Sequence, residues 1–421
     1  MEMSYSYLFD LALILISTKI FGLITRRVKM PQVVGALVAG LLLGPAVFNV
    51  LQKTDFINQM AELGVIVLMF SAGLETDVKE LKKTGKASLV IALIGVLVPL
   101  VGGYGIAAIF NKGDAALTSS AFMQNLFIGV ILTATSVSIT VETLKELGKL
   151  STKAGNAILG AALIDDILGI VALTLITSMA DSVVSIWWVL GKIVLFFVFA
   201  AVVGFLVYFA FNKWVSKAGK DLRRFIIVSF VLCLVMAFAA EEYFGVADIT
   251  GAFIAGLIIS NSERTKYIAS RFETMSYMLL SPIFFASIGI KVVIEGGMSK
   301  GIIIFTVLIT LVAILTKIIG CGIGARMCGF SRQESVQIGT GMVSRGEVAL
   351  IVASKGQSAG LMGSLFFAPL VIMVVITTVI TPVLLKIVFK HDKSEQPSVE
   401  SELVRGYNEI ELMAQGECQN K

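Results

Sequence analysis

The chain has 421 residues, of which 57% are hydrophobic and 15% are charged. This composition lies well outside the usual range for soluble domains and excludes an ordinary soluble protein. The formal net charge of +5 could suggest a nucleic-acid-binding surface, but the Lys and Arg residues fall mainly in alternate loops between apolar runs. Membrane topology therefore explains the charge better.

Apolar runs long enough to cross a bilayer recur from Tyr7 to Phe389. They predict an all-α polytopic membrane protein with about 13 transmembrane helices and no soluble domain between them. The first run has no basic segment before it, so we interpret it as a retained helix and not as a signal peptide. In chain order the predicted helices 1 to 13 cover residues 6–25, 32–50, 59–74, 86–111, 122–143, 154–179, 185–211, 224–243, 246–260, 272–293, 301–327, 333–354 and 362–390.

The basic stretches indicate the orientation in the membrane. They fall in the odd-numbered loops, at 26–29, 79–86, 145–153, 213–224 and 264–271. By the positive-inside rule these loops are cytoplasmic, which places the N-terminus outside and the C-terminus inside a cell membrane. The polar residues 391–421 are then a short, partly disordered cytoplasmic tail.

An internal repeat relates the two halves of the chain. "GALVAGLLLGP" from Gly35 matches "GAFIAGLIISN" from Gly251, and "MFSAGLE" from Met69 matches "FASIGIK" from Phe285 at the same offset of 216 residues. This offset pairs helix 2 with 9 and helix 3 with 10, a shift of seven helices. Because seven is odd, the paired helices cross the membrane in opposite directions. We therefore expect two inverted six-helix repeats, helices 1–6 and 8–13, with a site near the membrane midplane. Recurrent small residues of ordinary helix packing are the alternative.

Three charged residues lie at mid-depth in predicted helices 6 and 11. Asp165 and Asp166 are adjacent in helix 6, so their side chains point about 100° apart and address different partners. Lys317 lies near the middle of helix 11, too deep for its side chain to reach the cytoplasmic interface. Because buried charges are costly unless paired, a carboxylate at the same depth is the expected partner of Lys317.

Helices 5 and 12, which are repeat mates, carry unusual residues at the same depth. Helix 5 contains "LTATSVSIT" and helix 12 contains "GTGMVSRGEVALIV". Hydroxyls and glycines at this depth predict two broken helices that line a cavity, although hydroxyls bonded within ordinary helices remain the alternative. Their candidate site residues are the hydroxyls of Thr133, Thr135 and Ser136, and a supporting group formed by Ser344, Arg345 and Glu347.

These motifs resemble one family. "TATSVSIT", "GNAILGAALIDDILGIVAL", "LSPIFFASIGIKV", "TKIIGCGIGAR" and "GMVSRGEVALIVAS" resemble the monovalent cation:proton antiporter-2 family over residues 6 to 390. The resemblance implies that Asp166 binds the cation in competition with protons, and that Asp165 pairs with Lys317. It further implies crossing unwound helices in a core (helices 3–5 and 10–12 plus helix 6) that moves like an elevator. Helices 1, 2, 8 and 9 would form the dimerisation domain of a homodimer.

The expected function is exchange of protons for Na⁺ (or Li⁺), with two aspartates typical of electrogenic members of the family. A K⁺/H⁺ antiporter is the main alternative. A cation channel and an intramembrane aspartyl protease are remote ones, the protease because its two aspartates lie on separate, facing helices. Four cysteines without CxxC spacing and a single histidine, His391, predict no resident metal, cofactor or disulfide framework.

Overall fold

The structure, a computed structural model, describes residues 5–27, 30–76, 78–111, 120–180, 186–217, 223–260, 262, 264–292, 300–358 and 361–390. The predicted tail, 391–421, lies outside these ranges. The α-helices are Ser6–Arg27 (α1), Gln32–Leu43 (α2), Asp55–Glu75 (α3), Val78–Phe110 (α4), Ala121–Ile131 (α5), Val137–Glu146 (α6), Lys153–Ala180 (α7), Ile186–Lys217 (α8), Arg223–Phe238 (α9), Asp248–Ile259 (α10), Thr265–Met275 (α11), Ser281–Ile290 (α12), Lys300–Met327 (α13), Arg332–Gly341 (α14), Glu347–Ser358 (α15) and Phe367–Phe389 (α16).

Each predicted transmembrane helix has a counterpart. Two predicted helices are interrupted, as α5–α6 and α14–α15, and two are short, α2 and α10. π-Helical segments at Ala239–Tyr243 and Ser276–Leu280 extend α9 and join α11 to α12. Within the described ranges, eight helical stretches are long and apolar enough to cross a membrane: Ser6–Arg27, Asp55–Glu75, Leu81–Phe110, Trp187–Phe209, Arg223–Tyr243, Thr265–Ile290, Lys300–Met327 and Phe367–Phe389. The all-α polytopic prediction is confirmed.

Several helix boundaries differ from the predicted ones. Helix α2 ends at Leu43, seven residues before the predicted end at 50, because Gly44 is extended and precedes Pro45. A residue before proline disfavours the helical conformation. In the other direction, α4 and α11 include the basic stretches 79–86 and 265–271, which were predicted as loops. Lys, Arg and Glu are good helix formers, so polarity marks the edge of the membrane but does not end a helix.

The inverted repeat is visible in two helix crossings. A methyl group placed on Gly40 of α2 would lie 2.0 Å from the carbonyl oxygen of Ala286 on α12. A methyl group placed on Gly256 of α10 would lie 2.2 Å from the carbonyl oxygen of Phe70 on α3. The offset of 216 residues converts Gly40 into Gly256 and Phe70 into Ala286. The same backbone approach, possible only for glycine, therefore occurs once in each half with the partners exchanged.

Candidate functional site: two buried charges beside two crossing breaks

Helix α4 positions the two helices that carry the buried charges. On one side, Gly160 of α7 leaves room for the Ser88 hydroxyl of α4, which a methyl group at Gly160 would approach to 2.6 Å. On the other side, a methyl group at Gly324 of α13 would lie 2.9 Å from the Cα atom of Ile91. Small residues let membrane helices pack closely, so α4 fixes the relative depth of α7 and α13.

Asp165 and Lys317 form a buried ion pair between α7 and α13. The Lys317 ammonium donates to both carboxylate oxygens of Asp165, at 2.9 Å and 3.1 Å. The Lys317 residue is 0% exposed and Asp165 is 2% exposed. Removing one partner of such a pair typically costs about 3–5 kcal/mol, because the other charge is left buried and uncompensated.

Asp166 is the next residue of α7 and is also buried, at 9% exposure. Because successive side chains of an α-helix point about 100° apart, Asp166 does not share the direction of Asp165. A buried carboxylate is stable either when protonated or when a cation lies beside it. The two adjacent aspartates thus occupy different surroundings, and Asp165 has a fixed cationic partner within the protein.

The two predicted breaks exist and contact each other. The helical run stops between Ile131 and Val137 and again between Gly341 and Glu347. The backbone N–H of Ser136 donates to the carbonyl of Ser344 at 2.8 Å, and the Ser344 hydroxyl donates to the carbonyl of Ser136 at 2.7 Å. Backbone groups that a continuous helix would have paired internally are thus paired across the two breaks, as required away from water.

Arg345 connects both breaks to α13. Its guanidinium donates to the carbonyls of Val343 at 2.8 Å, of Leu132, and of Ala313 on α13 at 3.2 Å. The residue is 0% exposed. Leu132 is the C-cap residue of α5, so its carbonyl lies at the end of the helix where the dipole is negative. Arg345 therefore satisfies orphan carbonyls in the middle of the fold while bringing one permanent positive charge.

The three predicted hydroxyl ligands differ in their hydrogen bonding. The Thr133 hydroxyl donates to the carbonyl of Val130 at 2.8 Å, and the Ser136 hydroxyl lies 3.3 Å from that of Ser138. The hydroxyl of Thr135 is buried and has no hydrogen-bond partner among the described residues. A buried polar group without a partner is costly, so the Thr135 hydroxyl is the one of the three whose hydrogen-bonding capacity is still available to a ligand.

The breaks and the ion pair contact neighbouring turns of α13. Ala313, whose carbonyl binds Arg345, precedes Lys317 by one turn of α13. The four residues from Ala313 to Lys317 correspond to about 6 Å along the helix axis. The structure thus brings Asp165, Lys317 and Arg345 into one buried layer, together with the breaks that hold the predicted hydroxyls.

Sequence reasoning missed two hydroxyls that hold the crossing. Thr140 of α6 donates to the carbonyl of Gly341 at 2.7 Å and lies 2.9 Å from the Ser344 hydroxyl. Thr378 of α16 donates to the carbonyl of Arg345. Thr140 ends the quoted hydroxyl run of helix 5, which was a usable signal, whereas Thr378 resembles many other threonines in apolar helices. The side chain of Glu347 lies outside the described part, so its predicted role stays a prediction.

A family model described as "Sodium/hydrogen exchanger, transmembrane" matches residues 12–391 of this chain. The chain belongs to the sodium/hydrogen exchanger family. It is 40% identical over 390 residues to the Na(+)/H(+)-K(+) antiporter GerN of Bacillus cereus, covering 92% of this chain and 97% of GerN. It is 37% identical over 391 residues to a Na(+)/H(+) antiporter of Enterococcus hirae, covering 89% and 96% of the two chains.

A solved exchanger has the same fold. The sodium proton antiporter MjNhaP1 from Methanocaldococcus jannaschii, in a structure at pH 8, superposes with a TM-score of 0.66 over 91% of this chain and 96% of that chain. The two sequences are 17% identical, so this likeness supports the fold alone. The chain is a multi-pass membrane protein of an exchanger family, and its family implies a cation and protons as substrates.

Proposed function

We propose that this protein exchanges protons for Na⁺, and also for Li⁺, at Asp166. The buried Asp165–Lys317 ion pair supports this assignment most directly, because it commits one of two adjacent carboxylates to a protein cation. Asp166 then carries the negative charge that a proton or a small cation can neutralise. A hard monovalent cation prefers oxygen ligands, and the buried Thr135 hydroxyl, which has no hydrogen-bond partner among the described residues, is our candidate for a second ligand beside the Asp166 carboxylate.

Proton and cation exclude each other at such a site. Asp166 can hold either one, since both neutralise the same carboxylate, and an empty ionised carboxylate is costly away from water. When the cation binds, the Asp165–Lys317 pair is the nearest group able to respond. We propose that this pair then breaks and that a second proton leaves from the Lys317 ammonium, which becomes a neutral amine, or from the Asp165 site. Two protons exchanged for one cation would make exchange electrogenic.

An elevator motion would expose the site to each side in turn. The two glycine crossings, Gly40 against α12 and Gly256 against α3, join the proposed dimerisation helices to the proposed core. The proposed dimerisation helices correspond to α1, α2, α9 (with its π-helical extension) and α10, and we propose a homodimer in the cell membrane. The N-terminus would lie outside and the C-terminus in the cytoplasm.

The decisive test replaces Asp166 with Asn, which keeps the size and removes the charge. We expect Na⁺-driven proton flux in proteoliposomes to fall to the level of empty vesicles. A matched control, Glu241→Gln, removes an exposed carboxylate on the π-helical segment after α9 and should keep the wild-type rate. If Asp166→Asn protein folds, inserts and still exchanges at the wild-type rate, the assignment of Asp166 is wrong.

K⁺/H⁺ exchange is the second candidate, because the printed name of GerN, at 40% identity, includes both Na⁺ and K⁺. The same vesicles distinguish the two when Na⁺, Li⁺ and K⁺ are supplied in turn at equal concentration. Faster proton flux with K⁺ than with Na⁺ would replace the sodium assignment. Proton flux that ignores every cation gradient would contradict exchange altogether.

A further inference from the structure

The last turn of α6 joins the crossing breaks to two other helices. Lys145 forms an ion pair with Glu75 at the end of α3, with 2.7 Å between ammonium and carboxylate. The next residue, Glu146, accepts hydrogen bonds from the backbone N–H groups of Gln32 at 2.7 Å and Val33 at 3.2 Å. Two neighbouring residues of one helix are therefore anchored to two different bodies, α3 and α2.

The contact made by Glu146 is a helix cap supplied from a distance. Helix α2 starts after Pro31, which provides no side-chain cap for the first N–H groups of the helix. An α-helix leaves these donors unpaired, and a carboxylate at this positive end of the dipole is the strongest usual partner. Glu146 thus replaces the missing local cap, across more than 100 residues of chain.

The two anchors differ in what they connect. In the proposed elevator, α6 and α3 belong to the core, so the Lys145–Glu75 pair moves with it. Helix α2 belongs to the dimerisation domain, so the contact from Glu146 to α2 crosses the boundary along which the bodies shift. A shift of the core by even a few ångströms separates a carboxylate from N–H groups that it contacts at 2.7 Å and 3.2 Å.

We propose that Glu146 and the N-terminus of α2 form a latch that holds the core in the conformation seen here and must open in every exchange cycle. The proposal rests on the elevator exchange proposed above. The latch needs the ionised carboxylate, because a protonated Glu146 accepts hydrogen bonds from the N–H groups much more weakly.

The surroundings of Glu146 make the latch sensitive to pH. Partial desolvation of the Glu146 carboxyl raises its pKa above the ordinary value, although the residue as a whole is exposed, and the two backbone hydrogen bonds and Arg26 of α1 oppose this shift. On its own helix, Glu142 and Lys145 are the nearest charges, and Glu75 of α3 and Glu273 of α11 face Lys145. Burial lowers the pKa of Lys145, but the Glu75 and Glu142 carboxylates reverse this and raise it, so Lys145 stays charged. The latch is therefore closed at high pH and weakened as the pH falls.

The first experiment measures exchange in oriented proteoliposomes while the pH on the α6 face is varied. For each protein we take the exchange rate at pH 8 divided by the rate at pH 6. We expect this ratio to be at least about threefold larger in Glu146→Gln than in the wild type, because two charge-assisted hydrogen bonds are lost. The matched control is Glu273→Gln, which removes a carboxylate of the same cluster without touching α2. It should keep the wild-type ratio. If both variants changed the ratio equally, the loss of negative charge from the cluster would explain the effect, and the latch would be overturned.

The second experiment closes the latch covalently. In a background without native cysteines, Gln32→Cys and Glu146→Cys are joined by a short bifunctional thiol reagent. We expect exchange to stop and to return on reduction, with each single cysteine variant unaffected by the reagent. Cross-linked protein that exchanges at the uncross-linked rate would overturn the latch. Wild-type protein without any cation-driven proton flux would instead overturn the proposed exchange, and the latch with it.

Discussion

The two breaks have the same backbone form and different chemistry. Each interrupts a helix for five residues, 132–136 and 342–346, and the two breaks are joined by the hydrogen bonds between Ser136 and Ser344. The first break is filled with hydroxyls, of which that of Thr135 has no described partner. The second contains Arg345, whose guanidinium binds carbonyls of both breaks. The two halves of the repeat thus differ in role. The second break supplies a fixed charge and rigidity through Arg345, and the first leaves the Thr135 hydroxyl available as a ligand.

Replacing Arg345 with Met should have the largest effect on this division. Three carbonyls would lose their donor in a buried layer, so we expect the free energy of unfolding to fall by about 3–5 kcal/mol. Thermal unfolding in detergent measures the loss. Arg345→Lys is the matched control, because Lys keeps the charge but not the planar fork that reaches several carbonyls. It should be intermediate. A Met variant as stable as the wild type would show that the second break does not depend on Arg345.

The hydroxyls that join the breaks should matter less than the guanidinium. Ser344→Ala removes the donor to the Ser136 carbonyl, and Thr140→Val removes the donor to the Gly341 carbonyl. Each should lower the free energy of unfolding by about 1 kcal/mol, the usual net value of one hydrogen bond. Since the two hydroxyls also contact each other, the double variant should lose less than the two single losses combined. Strict additivity would contradict a shared network.

Thr135→Val should have the smallest effect on stability and a clear effect on transport. No described partner of the Thr135 hydroxyl is lost. The free energy of unfolding should therefore stay within about 0.5 kcal/mol of the wild-type value or rise slightly. The apparent KM for Na⁺ should rise, because a ligand oxygen is gone. A drop in stability comparable to that of Ser344→Ala would instead assign the hydroxyl a structural partner and remove it from the cation site.

Much of the fold follows from local patterns. Apolar runs predicted each transmembrane segment, and hydroxyls or glycines at mid-depth predicted the interruptions near Thr135 and Arg345. The repeated glycine motifs predicted which helices correspond. These patterns can be interpreted because a polar group without a partner is costly in the bilayer. A polar residue within an apolar run must therefore have a structural cause.

The partners of these exceptions were less predictable. Arg345 was expected to belong to a supporting group with Ser344 and Glu347, and the structure shows its guanidinium on three carbonyls, including that of Ala313 on another helix. Carbonyls look alike in every residue, so no sequence pattern distinguishes the ones that accept. The cap that Glu146 places on α2 is likewise invisible in the sequence, because the two segments are far apart along the chain.

By itself, the sequence determined that the protein spans a membrane, that its halves are inverted repeats, and that Asp165, Asp166 and Lys317 are buried charges. From the residues alone the carboxylate partner of Lys317 stayed open, and only the family resemblance implied Asp165. The tertiary structure shows that pair, and it alone decided that the breaks bind each other through Ser136 and Ser344 and that the Thr135 hydroxyl has no partner among the described residues. The physical reason is the range of the forces. Hydrophobic burial acts on each segment separately, whereas hydrogen bonds and ion pairs depend on distances of about 3 Å between segments that packing alone brings together.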